Sequence, residues 1–331
     1  MEAVRIKYID ALKCLGIFLV IEGHVRRSGM GIEVYDTIYG LMLYTFNMPL
    51  FFFISGFLAY KEQLSGGGVW GRVWKKAIYL VVPTLIVKSF FDLLNYKNPL
   101  SFFIHGLGGY WFGITLFECF FIYYITSSIF KNVRHHMIAL IVLSCCGLIL
   151  LSSLREFGPL LFDMNHLTKY FHFFTMGLLA RRYKTYYSVI MASEWAKLIS
   201  LICFFLLLFT INMPIWPPIL FHLLRDIVLR YLGLFIVLSF FVCHENKFAK
   251  NNLSNSIMYH IGRSSMAIYL LQYFFLPDYN FMPSWIKEMD HLSLYVIAFV
   301  YAVVIMVICL VCISFLSNSE KIRKYVLGQS S

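Results

Sequence analysis

The chain has 331 residues, of which 60% are hydrophobic and only 14% charged, with a formal net charge of +11. A soluble domain carries about 25% charged residues, so an ordinary globular protein is excluded and a polytopic membrane protein is indicated. A nucleic-acid binder is excluded as well, because the basic residues are scattered between apolar runs and form no basic face.

Ten apolar stretches follow one another, at 12–25, 38–60, 73–94, 111–130, 137–154, 167–179, 196–213, 221–243, 265–276 and 292–316. A crossing helix needs about 20 residues. The first, sixth and ninth stretches are shorter and must draw polar neighbours into their helices. Such residues are costly in a bilayer unless they face protein or water, so the short stretches are where function is sought. Ten crossings with both termini cytoplasmic put most of the 28 basic residues on the inner side. The opening MEAVRIKYIDALK has no small-x-small cleavage site and predicts a retained helix rather than a signal peptide. The expected fold is all-α: one multi-pass transmembrane domain over residues 1–331.

In the first stretch, Lys13 and His24 are eleven residues apart. That is about three helical turns, so both lie on nearly one face, roughly 16 Å apart along the axis. A low cation and a high imidazole suit a path that holds an anion inside and moves a proton outside. On spacing alone the plainer reading leads: Lys13 snorkels to the inner surface and His24 ends the helix. Glu22 stands four residues before Arg26, the favoured order for a helix ion pair, yet it also neighbours His24 and could orient it.

In the second stretch, Pro49 interrupts the hydrogen-bond ladder beside Asn47, and Ser55-Gly56 suits close helix packing. Arg72 and Lys75 share a face at the start of the third; they can hold phosphates, or simply carry inside-positive charge. The loop 64–72 reads as a flexible turn, and 212–220 as a proline-rich outer turn with Trp216 at the interface. Tyr110, Trp111 and Phe112 form an aromatic belt at the fourth stretch, with Glu118 about two turns deeper. His166 and His172 flank the sixth, and Arg225, Asp226 and Arg230 form a self-neutralising cluster at the eighth. His135 and His136 read as solvated. The eight cysteines read as small buried hydrophobes, with no disulfide framework and no metal site.

The ordered set of motifs resembles the membrane acyltransferase-3 family. The carriers are Lys13 and His24 with Asp10 before them; MPLFFFISGFL (48–58); the Arg72 and Lys75 pair; YWFGITL (110–116); and GRSSMAIYLLQ (262–272). Departures are visible. The family often has arginine at the position of Lys13, and histidine in many members at Asn47 and Gln272. It has a second arginine where Lys75 stands, which here loses one bidentate fork. Asn47 and Gln272 keep hydrogen bonding without proton transfer, which leaves His24 as the base.

The resemblance implies transfer of an acyl group, acetyl by the same likeness, from acyl-CoA to a hydroxyl of a cell-surface glycan or lipid-linked sugar. Physical chemistry then assigns the roles: His24 takes the acceptor proton and Glu22 orients His24, making both catalytic, while Lys13, Arg72 and Lys75 bind the anionic donor. Trp111, Tyr110, Glu118, His166, Asn47 and Gln272 then become candidates for lining the acceptor cavity. Acyl-CoA is a co-substrate; no permanently bound cofactor, metal or nucleic acid is expected, and the lipid bilayer is a partner. The competing reading is a transporter or exporter of a glycan or small anion without covalent chemistry.

Overall fold

The apolar stretches become helices, and polar residues at their ends decide how far each helix extends. The computed structural model describes residues 6–33, 37–61, 68–100, 102–150, 164–210 and 218–329. In chain order these carry α1 (Lys7–Met30), α2 (Ile38–Ala59), α3 (Val69–Lys76), a π-helical turn (Ala77–Val81) and α4 (Val82–Leu94). Next come α5 (Phe102–His105), α6 (Trp111–Ile129), α7 (Val133–Leu150), α8 (Met164–Arg182), α9 (Lys184–Ala192) and α10 (Glu194–Phe209). The last are α11 (Pro218–Cys243), α12 (Glu245–Phe248), α13 (Leu253–Leu271), α14 (Ser284–Lys287), α15 (His291–Leu316) and α16 (Glu320–Tyr325). No strand occurs among the described residues, so the all-α expectation holds there. The predicted turns at 64–67 and 212–217, Trp216 included, lie outside the described residues, as do positions 151–154 of the fifth stretch.

Each of the ten apolar stretches falls on a helix. Among the described residues, five helical runs are long and apolar enough to cross a membrane: Ile38–Ala59, Val69–Leu94, Gly108–Ile129, Leu224–Cys243 and His291–Leu316. A sixth is added if α9 and α10, bent by 68° at their junction, count as one span. Helix α15 shows the lipid-facing pattern. Leu292, Val296, Phe299, Val303 and Val307 are exposed along one side, while Ala298, Ala302, Ile305 and Cys309 are buried along another. Such a stripe costs free energy in water and none in hydrocarbon.

Helix α1 is longer than its apolar core because it recruits Lys7, Asp10, Lys13, Glu22, Arg26 and Arg27. It stops at Gly31, whose left-handed backbone (φ 66°) lets its N–H close on the Arg26 carbonyl. The π-helical turn precedes Pro83, which has no N–H for the bond to the Tyr79 carbonyl and crowds it, so the helix widens there.

The chain folds into two compact units. The first comprises Met1–Phe51, Tyr183–Ser265 and Phe275–Ile308. Its core includes Leu41, Phe204, Leu208 and Leu229, and a second cluster of Leu19, Leu43 and Phe46. The second comprises Phe52–Arg182, Met266–Phe274 and Cys309–Ser331. There α2 and α8 meet backbone to backbone. A Cβ on Gly56 would collide with the Phe174 carbonyl, and one on Gly177 with the Phe53 carbonyl. This is the close approach that Ser55-Gly56 predicts.

Two expectations are corrected. His136 is not solvated: it is 5% exposed in the first turn of α7, with Nε2 3.0 Å from the Thr126 hydroxyl and its ring stacked on Tyr123. The helix begins before the histidines, so the second one turns inward. The cysteines are not uniformly buried either. Cys119 and Cys309 are buried, whereas Cys145, Cys146 and Cys243 are exposed, because small apolar side chains suit a lipid-facing side as well as a core.

Candidate functional site

In the first unit, α1 is unbroken from Lys7 to Met30, so the eleven-residue interval between Lys13 and His24 is a true helical interval. Both residues are half-buried, on a helix where Leu12, Ile17, Val20, Ile21 and Val25 are buried. The Ser28 hydroxyl donates to the His24 carbonyl (2.7 Å), fastening the last turn on which the imidazole stands. Asn47 reaches α1 from α2: its Nδ2 is 3.4 Å from the Leu19 carbonyl, while its Oδ1 is buried without a hydrogen-bond partner. The carboxamide therefore has an acceptor to offer on the His24-bearing helix, about one turn before the histidine.

Glu22 and Arg26 form a buried ion pair at 2.7 Å, with side chains 1% and 3% exposed. The Arg26 guanidinium lies 5.4 Å from the centre of the Tyr39 ring and 5.6 Å from that of Tyr295, and the two rings are 5.1 Å apart. The pair thus ties α1 to α2 and α15 within this unit. Two residues along a helix are about 200° apart in direction, so Glu22 and His24 leave α1 on opposite sides. The geometry gives Glu22 a partner of its own in Arg26.

In the second unit, α3 presents its cations in two ways. Arg72 sits over the Tyr124 ring (5.6 Å) and Lys76 over the Phe120 ring (3.8 Å), both on α6, while Lys75 is exposed. Sequence spacing pairs Arg72 with Lys75. Packing instead pairs Arg72 with Lys76, because the α6 aromatics are also four apart. Lys76 is the residue missed, and its signal is the matching i,i+4 spacing of Phe120 and Tyr124.

Trp111 and His166, distant in sequence, stack with ring centres 3.9 Å apart and planes 13° apart. Tyr170 lies parallel on Trp111 (5.3 Å), and Phe52 on Tyr170 (4.9 Å), so four flat groups form one slab. Tyr110 is buried against Tyr273 (4.5 Å) and Phe91 (5.8 Å), its hydroxyl without a hydrogen-bond partner. The Tyr269 and Tyr273 hydroxyls both donate to the Gly109 carbonyl, and Tyr269 also accepts from the Phe112 N–H (3.3 Å). These tyrosines hold the start of α6 and so place Trp111. Gln272 is fully buried, donating to the Tyr269 carbonyl (3.2 Å) with its Oε1 unsatisfied; Glu118 is buried on α6. A buried pair outside the expected set, Lys88 with Asp92 at 2.5 Å, lies in α4; its i,i+4 spacing inside an apolar run is legible in sequence.

Lys13, His24, Glu22 and Asn47 thus gather in the first unit. Arg72, Lys75, Tyr110, Trp111, Glu118, His166 and Gln272 belong to the second. The family model described as an acyltransferase domain matches residues 6–316. No curated protein and no solved structure matches significantly.

Proposed function

The chain belongs to the acyltransferase-3 family and is a multi-pass membrane transferase, and on that premise we propose that it moves an acyl group from acyl-CoA to a glycan hydroxyl. The observation that carries this reading is the placement of Lys13 and His24 along one side of one continuous helix. The acyl group is acetyl, and the acceptor is a cell-surface glycan or a lipid-linked sugar. Ten crossings of the inner membrane, with both termini cytoplasmic, give the donor access from within.

Each residue then has a task. Arg72 and Lys75 hold phosphates of the donor, and Lys13 attracts its anionic chain. His24 takes the proton from the acceptor hydroxyl as the oxygen attacks the thioester carbonyl. The carbon–oxygen bond forms, the carbon–sulfur bond breaks, and the CoA thiolate leaves, taking the proton back from the His24 imidazolium. A positioned base of this kind is worth about 10²–10⁴-fold. Glu22 acts through Arg26, fixing the end of α1 on which His24 stands. In the second unit the Trp111–His166 slab gives aromatic surface to the acceptor, the buried Tyr110 backs it, and Glu118 and Gln272 supply hydrogen bonds; in the first unit Asn47 supplies one near His24.

The test is mass spectrometry of surface polysaccharide from cells with and without the protein. The reading predicts an acetyl mass increment that depends on the protein. Vesicles loaded with labelled acetyl-CoA give the second readout: label must appear covalently on an acceptor. Passage of intact solute without covalent label would contradict the reading.

A further inference from the structure

The first unit contains a cavity of about 630 Å³ where the start of α1 meets the loop after α12 and the first turns of α13. Its walls include Lys7, Asp10, Lys250, Asn251, Asn255 and Tyr259. None of these entered the catalytic roles above. The volume falls within the roughly 300–1,000 Å³ of small-molecule and cofactor sites.

The cavity is built before any ligand arrives. Lys7 Nζ donates to the Ala249 carbonyl (2.9 Å) and to Asn251 Oδ1 (2.8 Å). Asn255 Nδ2 donates to the carbonyls of Lys247 (3.0 Å) and Lys250 (2.8 Å). The 247–251 loop is therefore pinned from two sides, which lowers the ordering cost of binding. Two lysines favour an anion, and charge-assisted bonds to phosphate are the strong ones. The Asp10 carboxylate, 6% exposed, repels a bare anion but accepts from an amine or a ribose hydroxyl. Amide side chains and the Tyr259 ring suit the edge and face of a base. Cations, a carboxylate, amides and an aromatic ring in one cavity match a phosphorylated nucleotide.

We propose that this cavity binds the phosphorylated adenosine end of the donor, with Lys7 and Lys250 on its 3′-phosphate, distinct from the diphosphate assigned to Arg72 and Lys75, and Asp10 on a ribose or base donor. The identity of the nucleotide rests on the acyl-CoA reading; the chemistry of the cavity does not. In the proposed topology, with both termini cytoplasmic, this end of α1 faces the side where the donor is made available.

The experiment measures binding of adenosine 3′,5′-bisphosphate and of CoA to the purified full-length protein in nanodiscs of neutral lipid. The wild type binds both. Lys7→Gln with Lys250→Gln weakens both at least tenfold in protein that still shows a folded melting transition, and Lys7→Arg with Lys250→Arg restores most of the affinity. Inorganic phosphate at the same concentration does not compete, and nanodiscs containing phosphatidylglycerol bind the nucleotide as well as neutral ones. Unchanged CoA affinity in the double glutamine variant would overturn the cavity assignment while leaving the donor reading intact. Absence of CoA binding by the wild type would overturn both. Equal competition by phosphate would make the cavity a bare anion site, and displacement by phosphatidylglycerol a headgroup site; either result overturns the proposal.

Discussion

Helices α1 and α3 handle charge in opposite ways. At the end of α1, Glu22 and Arg26 are almost wholly removed from solvent and neutralise one another between two tyrosines. On α3, Arg72 and Lys76 lay their cations on aromatic faces and Lys75 stands exposed. A buried pair is expensive to break, because removing one partner strands the other charge, and it leaves little to offer a ligand. Exposed or ring-supported cations cost little to keep. The first arrangement fixes a helix; the second carries charge without burying an ion pair.

The largest effect tests whether packing in the second unit is as unforgiving as the buried pair in the first. Gly56→Leu forces a side chain into the Phe174 carbonyl, and folded protein in membrane extracts falls below detection. Normal yield and melting temperature would show that α2 and α8 separate easily. Next comes the ion pair. Glu22→Ala costs about 3–5 kcal/mol of stability, whereas Glu22→Leu combined with Arg26→Met costs much less, since no charge is then stranded. Equal losses in the two variants, measured by thermal or denaturant unfolding, would remove the contrast between the two helices.

Smaller effects sharpen the α3 side. Lys76→Ala loses about 0.5–2 kcal/mol of cation–π stabilisation. Lys75→Gln stays within about 0.5 kcal/mol of wild type in stability, raises the apparent KM for acyl-CoA and leaves saturated turnover nearly unchanged. A lowered kcat with constant KM would argue against a phosphate role.

The smallest effect concerns Asp290, just before α15. Its carboxylate accepts from the Ser293 hydroxyl (2.6 Å) and from the Ser293 and Leu292 N–H groups. These bonds, the Ser293 hydroxyl first, hold its pKa below the ordinary carboxylate value. A depressed pKa stabilises the fold above the unfolded value of about 4 and loses that contribution as pH falls through the folded value. Wild type should therefore lose melting temperature below about pH 4 slightly faster than Asp290→Ala. Parallel curves would show that the cap adds nothing measurable.

Much of the helical framework was legible because lipid demands long apolar runs, and such runs are visible without a partner. Helix α1 was legible only in part: its charged ends depress hydropathy, and only the Lys13–His24 interval marks one continuous helix. The Trp111–His166 stack was not legible, because the two residues belong to different helices and nothing local to either specifies the other. Lys76 was hidden for a similar reason, since its role depends on the spacing of aromatics on α6. His136 was misread because two adjacent histidines look like a loop until the helix start is known.

The central claim is that His24 takes the acceptor proton. Acyl transfer from labelled acetyl-CoA should be compared between wild type and His24→Ala in matched nanodiscs, with melting temperature measured on the same samples. The account predicts a loss of about 10²–10⁴-fold in turnover with unchanged stability. Transfer at the wild-type rate by a folded His24→Ala protein would contradict it.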